Sequence, residues 1–405
     1  MESKRSTLTQ RHIVLGVTGG IAAYKACYLA SRLVQEGAVV DVVMTEAASR
    51  FVAPLTFQAL TQRPVTTDMF HLLAETEIGH VSLAESADIM VIAPATANTI
   101  AEMALGLAND MVTTTALATT APLVLAPAMD YKMWENPATQ ENVRRLRERG
   151  AFIVDPGVGR LASGLLGAGR MAEPDTILQA IKLVLGRKGD LAGWRLLVTA
   201  GGTQEPIDPV RYVGNRSTGK MGYAVAEAAR DRGAEVTLVT APTSLPPPAY
   251  VQVIQVETAR QMQQAVSQAV QTADALVMAA AVADYQPAER AQQKIKKQNE
   301  ELAIRLTPTP DILAELPESR LVKVGFAAES EDLIAHARDK VRRKRLDLIV
   351  ANDITAPGSG FGTDTNKVVF IDAVGNLEEL PLLPKLEVAH RILDRVVDLL
   401  KERML

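Results

Sequence analysis

Apolar runs of strand length alternate with amphipathic stretches along most of the chain. His12 to Thr18 is apolar and β-branched and predicts a strand; Ile21 to Gln35 repeats its apolar residues at helical spacing; Ala38 to Met44 predicts a second strand after the turn at Gly37. Ala87 to Ala93 reads as a buried strand, and Pro94-Ala95-Thr96-Ala97-Asn98 turns into another helix. Pro174 to Leu185 predicts a helix, after which Gly186 to Asp190 is short, polar and glycine-flanked. The pattern then starts again. A strand at Arg195 to Val198, a helix at Lys220 to Arg232 and a strand at Glu235 to Val239 lead, through further elements and a helix over 330–345, to a last helix from Leu386 to Leu400. Alternation of this kind gives parallel sheets with right-handed crossovers and helices on both faces. The expected class is α/β, with two Rossmann-like parallel-sheet domains over 1–186 and 191–405 and a linker at 187–190.

Each domain opens on a strand that runs into a Gly-Gly turn, the way an α/β sheet presents backbone N–H groups to a phosphate. The first turn, Thr18-Gly19-Gly20-Ile21, lacks the GxGxxG spacing, and Asp41 falls inside the second strand. A single phosphate suits it better than NAD. The second turn, Gly201-Gly202, is followed by a helix only after Thr218-Gly219-Lys220. Gly214 to Lys220 formally meets the P-loop spacing, but Met221 stands where Ser or Thr is needed to ligate magnesium, and a long proline-containing loop comes first. A Walker-type ATPase is a poor fit.

The chain has 405 residues, enough for two separate cores, and a formal net charge of -4. The basic strings RDKVRRKR and KIKK are short and lack interleaved aromatics, so no nucleic-acid partner is expected. Cys27 is the sole cysteine, which excludes an intramolecular disulfide framework and a cysteine-based metal site. There is no apolar stretch of signal-peptide or membrane-span length, so the expectation is a cytoplasmic protein without a membrane partner. The segment APTSLPPPAY reads as a rigid loop.

Three motifs in the first half resemble those of the flavin-dependent cysteine decarboxylases. TGGIAAYK at Thr18 to Lys25 is similar to the family's FMN-phosphate turn, APATANT at Ala93 to Thr99 to its flavin-contacting loop, and His80 to its essential histidine. The resemblance implies a flavodoxin-like FMN domain in which Gly19, Gly20, Ile21, Thr45, Pro94, Ala95, Thr96 and Asn98 bind the cofactor and His80 is a base near the substrate thiol. Pro127-Ala128-Met129-Asp130 is similar to the family's PAMN loop, whose Asn holds the departing carboxylate, and is followed by the matching Met133-Trp134. Here the residue is Asp130. In GVGRLASGLLGAGRM, read as a glycine-rich substrate flap over Gly157 to Met171, Ser163 stands where many relatives carry the cysteine that supplies the closing proton. Asp130 and Ser163 are therefore candidate catalytic residues that depart from the pattern, and Met133 is a substrate contact.

The second half resembles the ligase part of the bifunctional phosphopantothenoylcysteine decarboxylase/phosphopantothenate-cysteine ligase family. It carries TAGGT, EPIDPVR and an Asn shortly before Ser-Thr-Gly-Lys-Met-Gly, then AAAVADY, KIKK and GFAAE downstream. The resemblance implies joining of 4'-phosphopantothenate to L-cysteine by way of an acyl-cytidylate made from CTP, with Mg2+ bridging the phosphate oxygens. Asp284, Lys294, Phe326, Lys340 and Lys344 are the implied nucleotide contacts, Arg211 and Asn215 the substrate contacts, and Lys294 and Asn215 are catalytic. Asn352 and Asp353 end a neighbouring strand, and the 353–366 loop helps to close the site. A dedicated metal site is not identified. Flavin-dependent decarboxylation of the ligated product to 4'-phosphopantetheine would follow, in a homo-oligomer with trimeric flavin domains and dimeric ligase domains. The alternative left open is an active ligase fused to a catalytically silent FMN-binding module.

Overall fold

The computed structural model describes residues 6–404 apart from 70–78, 298–301, 318–319, 330–332, 354–357, 359 and 361. The chain forms two compact units, Met1–Arg187 and Lys188–Leu405.

The first unit is built on β1 (His12–Val17), β2 (Val39–Met44), β3 (Val65–Thr66), β4 (Ile89–Ala95), β5 (Leu123–Pro127) and β6 (Phe152–Ile153). They pair in parallel in the order β3-β2-β1-β4-β5-β6. This is the doubly wound three-layer arrangement, with the strand order reversing between β1 and β4. The continuous apolar composition of β1 and β4 follows from coverage on both faces. Leu15, Val17, Ile89 and Val91 pack under the Ala23–Gln35 and Pro174–Gly186 helices, while Val14, Met90 and Ile92 meet the opposite layer around Ile100 and Val112. The Gly157–Met171 stretch is not a structureless flap. Gly157–Arg160 (β7) and Leu166–Arg170 (β8) pair antiparallel as a hairpin.

The second unit repeats the plan with β9 (Arg195–Ala200), then a ribbon of β10 (Gln204–Pro206) and β11 (Tyr212–Gly214), then β12 (Glu235–Thr240), β13 (Gln252–Gln255) and β14 (Ala275–Met278). A second ribbon pairs β15 (Tyr285–Pro287) with β16 (Leu306–Pro308). The sheet continues through β17 (Val322–Glu329) and β18 (Leu348–Asp353) and, past the short β19 (Thr365–Asn366), ends in β20 (Val368–Asp372) and β21 (Leu377–Glu379). Its order is β13-β12-β9-β14-β17-β18-β20-β21, parallel up to β18 and antiparallel beyond it. The reversal here lies between β9 and β14. The last helix, Lys385–Glu402, buries Val388, Ile392, Val396 and Leu400 against the sheet. Of the helix expected over 330–345, residues 330–332 lie outside the described residues and Leu333–Lys344 is helical.

Asp190, expected in a free linker, is part of the second unit. Its carboxylate takes Arg232 Nε at 2.9 Å and Nη2 at 2.5 Å.

Candidate active sites

Both sheets place their turns at the point of reversal, where strand ends diverge and leave a crevice. In the first unit the buried Thr18 ties the ends of β1 and β4: its hydroxyl donates to the Pro94 carbonyl at 2.7 Å and accepts Thr96 N–H at 3.1 Å. Thr45 ends β2 by accepting Ala48 N–H, and Thr96 starts the next helix by accepting Thr99 N–H. A Cβ on Gly19 would lie 2.4 Å from that of Ala47, so only glycine lets the turn pass.

These turns open into a cavity of about 1130 Å³. Gly19, Gly20, Ile21, Thr45, Thr96 and Asn98 line it, as do Asp130, Met133 and Ser163 from the far side. Lys25, Arg50, Arg160 and Arg170 add positive charge, with Lys25 paired to Glu173 at 2.7 Å and Arg50 to Glu46 at 3.0 Å. Pro94 and Ala95 are buried in β4 instead of lining the cavity, and Pro94 contributes through its carbonyl. His80 lies in the first turn of the Gly79–Ser86 helix; among the described residues its buried Nδ1 has no hydrogen-bond partner, and it does not line this cavity.

The hairpin sits directly on the Asp130 loop. Met129 N–H donates to the Gly169 carbonyl at 2.9 Å, and a Cβ on Gly169, whose φ is +147°, would meet Met129 O at 2.3 Å. That contact brings Ser163 over Asp130, and its hydroxyl donates to Asp130 Oδ2 at 2.7 Å. Asp130 Oδ1 also accepts Lys132 N–H at 3.1 Å. The Ser163 hydroxyl, and then the Lys132 N–H, hold the Asp130 carboxyl below the usual carboxylate range.

In the second unit the same lashing recurs. Thr199 at the end of β9 accepts Ala280 N–H at 3.1 Å, and Thr203 accepts Ala283 N–H at 2.9 Å. Ala281 N–H donates to Gly201 O at 2.8 Å, and Thr203 N–H to Ala281 O at 3.2 Å. Gly201 has φ +81°, and a Cβ there would fall 2.6 Å from Ala241 O. Gly219, at φ +77°, opens the Lys220–Asp231 helix.

A cavity of about 530 Å³ forms between these loops. It gathers Asn215, Asp284, Phe326, Lys340 and Lys344 from distant parts of the chain. Asn215 Nδ2 donates to Val282 O at 3.1 Å, which orients the amide, and Lys344 Nζ lies 3.0 Å from Asp311. Lys294 and Arg211 do not line the cavity. Arg211 instead pairs with Asp208, 2.5 Å from Nη2 to Oδ2.

Lys220, Asp311 and Lys385 also line the cavity: Lys220 falls inside the Ser-Thr-Gly-Lys-Met-Gly motif without being singled out as a site residue, and Asp311 and Lys385 escaped the sequence reading. Asp311 was legible as the N-cap of the Ile312–Glu315 turn, where it accepts Ala314 N–H. Lys220 bonds Asp364 at 2.7 Å and Gly362 O at 2.8 Å. Lys385, buried, donates to Thr363 O at 2.7 Å and Gly360 O at 3.2 Å; burial, and then the nearby Lys220 charge, push its pKa down. Nothing local in the sequence marks Lys385. Of the expected closing loop 353–366, residues 354–357, 359 and 361 lie outside the described residues. Among the described residues no cluster of three or more His, Cys, Asp or Glu side chains is placed to hold a metal ion, and no helix is long and apolar enough to cross a membrane.

Residues 1–186 match the Flavoprotein family, and residues 191–400 match the family described as the DNA/pantothenate metabolism flavoprotein C-terminal domain. The chain is 46% identical over 400 residues to the coenzyme A biosynthesis bifunctional protein CoaBC of Bacillus subtilis (strain 168), with 98% of each chain covered. It is 45% identical over 397 residues to the protein of that name from Escherichia coli (strain K12), covering 96% of this chain and 98% of the relative. Among solved structures, the C-terminal domain of a coenzyme A biosynthesis bifunctional protein CoaBC is 41% identical, covers 53% of this chain and 100% of that one, and gives a TM-score of 0.46. With both halves matched and the full-length relatives covered nearly end to end, the chain belongs to the family of bifunctional coenzyme A biosynthesis proteins.

Proposed function

We propose that the second unit, residues 191–405, joins 4'-phosphopantothenate to L-cysteine at the expense of CTP, and that the first, residues 1–186, decarboxylates the product to 4'-phosphopantetheine with FMN. The observation that carries the ligase reading is the convergence of Asn215, Asp284, Phe326, Lys340 and Lys344 on one cavity. Activating a carboxylate with a nucleoside triphosphate brings an anion to a polyanion, and lysines at the cavity offset that repulsion. Mg2+ is assigned to the phosphate oxygens of the nucleotide. The Asn215 amide, fixed by Val282, is placed to orient the acyl oxygen as the cysteine amine attacks.

The first cavity fits FMN on its own residues. The turn that only glycine permits at Gly19 leaves room for a phosphate beside the Thr45 and Thr96 caps, and Asn98 and Ile21 line the space beyond. When bound, FMN supplies reversible hydride transfer. The protein's own part is proton handling. His80, whose Nδ1 has no partner among the described residues, is assigned to the substrate thiol, and Asp130 with Ser163 to the carboxylate end. The flavin units are taken as trimeric and the ligase units as dimeric.

The test is mass spectrometry of full-length protein incubated with FMN, 4'-phosphopantothenate, cysteine, CTP and Mg2+ under anaerobic conditions. The expected products are 4'-phosphopantetheine, carbon dioxide, CMP and pyrophosphate. Accumulation of phosphopantothenoylcysteine without loss of carbon dioxide would establish a silent flavin module instead.

A further inference from the structure

The EPIDPVR motif closes on a carboxylate clamp. Asp208, its side chain fully buried, accepts hydrogen bonds from Val210 N–H at 2.8 Å and Arg211 N–H at 2.9 Å. It also takes Arg211 Nε at 3.0 Å, Arg211 Nη2 at 2.5 Å and, from a distant segment, Ile295 N–H at 3.1 Å. Arg211 Nη2 donates in turn to the Ile295 carbonyl at 3.0 Å. Both backbone groups of Ile295 are therefore held by this pair. A further bond, Ala291 N–H to Ile207 O at 2.9 Å, pins the segment at its other end. Lys294 lies between the two attachments.

The clamp stands at the tip of the β10–β11 ribbon, whose pairs run from Gln204 with Gly214 to Pro206 with Tyr212. Asn215 is the next residue after that ribbon. One rigid element thus carries Asn215 at its base and grips the neighbour of Lys294 at its tip. Only donors converge on Asp208. An ionised carboxylate satisfies them all, whereas an amide would turn an NH2 group toward at least one of them. The Arg211 guanidinium, with backbone N–H groups behind it, holds the carboxyl far below the usual range.

We propose that Asp208 is a positioning residue for the ligase reaction: it fixes the backbone beside Lys294 to the ribbon that carries Asn215. The inference rests on the assignment of Lys294 and Asn215 given above. Lys294 does not line the cavity, so to serve the nucleotide its side chain has to reach inward from a backbone whose next residue, Ile295, the Asp208–Arg211 pair holds. Freed from the clamp, the segment would have to be ordered again in every turnover, and misplacement on the order of 1 Å costs roughly 100-fold in rate. Arg211 acts in this scheme through Asp208 and Ile295.

The experiment is a double-mutant cycle on the full chain with Asp208→Asn, Lys294→Gln and the pair, followed by quenched-flow measurement of acyl-cytidylate and phosphopantothenoylcysteine. Asp208→Asn is expected to lower kcat roughly 30-fold with KM for CTP changed less than about 2-fold, and to cost nothing more when Lys294→Gln is already present. Trypsin should also cut after Lys294, Lys296 and Lys297 about 10-fold faster in Asp208→Asn, with the thermal transition of the unit in place. Asp208→Glu keeps the charge and the Arg211 pairing, and is expected to show a smaller loss with the same dependence on Lys294. An equal loss from Asp208→Asn with and without Lys294→Gln, or no loss in either Asp208 variant, would overturn the proposal. If Lys294→Gln alone leaves the rate unchanged, the assignment of Lys294 is wrong and the proposal falls with it.

Discussion

Ser163 Oγ donates to Asp130 Oδ2 at 2.7 Å, so the two residues that depart from the decarboxylase motifs are bonded to each other. The hydroxyl proton points at a carboxylate that holds it, and a hydroxyl is a far weaker acid than a thiol, whose pKa is about 8.5. With Ser163 assigned to proton delivery, that step is expected to be slow. Ser163→Cys is expected to speed the closing reduction by roughly 10-fold or more, a modest share of what general acid catalysis supplies. Rapid-quench mass spectrometry of the enethiol and 4'-phosphopantetheine pools would show it; an unchanged ratio would exclude Ser163 from the proton path.

The same bond sets a pH dependence. Ser163, ahead of the Lys132 N–H, lowers the Asp130 pKa, so the group is ionised above the ordinary aspartate value of about 3.9 and protonates only as pH falls through its lower folded value. Its contribution is complete above that range and lost below it. Between about pH 5 and 8 the decarboxylation profile should thus keep its shape in Asp130→Asn, with only the amplitude changed. A profile inflection that vanishes in this variant would contradict an ionised Asp130.

Gly169→Ala tests whether the hairpin must touch the loop beneath it. The added Cβ would sit 2.3 Å from Met129 O at a φ of +147° that alanine rarely adopts, so the hairpin must lift. The expected cost is about 1 to 3 kcal/mol, with decarboxylation falling at least roughly 10-fold and ligation unchanged. Assaying the two half-activities on one preparation separates a local effect from general unfolding.

The alternating strands and helices and both Gly-Gly turns were legible because burial on two faces writes apolar runs into β1, β4 and β9, whereas the distant residues of each crevice came from resemblance to family motifs and from no pattern of burial. The hairpin over Gly157–Arg170 was not. Its strands are glycine-rich and mostly exposed, so no alternation marks their register, and only pairing with each other and contact with Met129 and Tyr131 reveal them. Antiparallel β20 and β21 at the sheet edge were hidden for a different reason, since an apolar run such as Val368 to Ile371 carries no direction. Lys385 was invisible because its partners, Gly360 and Thr363, are backbone carbonyls of another loop.

Asp190 and Arg232 give the second unit an acid sensitivity of its own. Burial favours the neutral acid, but the Arg232 guanidinium overrides it and the Asp190 pKa is lowered. The bond therefore contributes fully above about pH 3.9 and is lost as pH falls through the lower folded value. Asp190→Ala leaves the buried Arg232 with Asp394 at 2.9 Å and the His390 carbonyl at 3.0 Å. Because the Asp190 side chain is 46% exposed, solvent screening limits the loss to about 1 kcal/mol. Chemical denaturation at pH 7 should show that shift in the second unit alone, and the difference from wild type should shrink as the pH falls below the ordinary aspartate value of about 3.9.

Asn215→Asp tests whether Asn215 divides the two ligase half-reactions, as proposed above. Its Nδ2 is held by Val282 O at 3.1 Å, which fixes the amide in one orientation, and its proposed role is in the second attack, by the cysteine amine, and not in the first on CTP. Asn215→Asp keeps the size but replaces the donor with an acceptor, turning the Val282 contact into a repulsion and leaving the acyl oxygen of the mixed anhydride without its donor. Acyl-cytidylate should still form and then persist, with conversion by cysteine slowed roughly 100-fold, the scale of losing one oriented donor to a developing oxyanion. Single-turnover quenching with labelled CTP resolves the two steps. If both fall in parallel, Asn215 serves nucleotide binding and the division of labour assigned to this cavity is wrong.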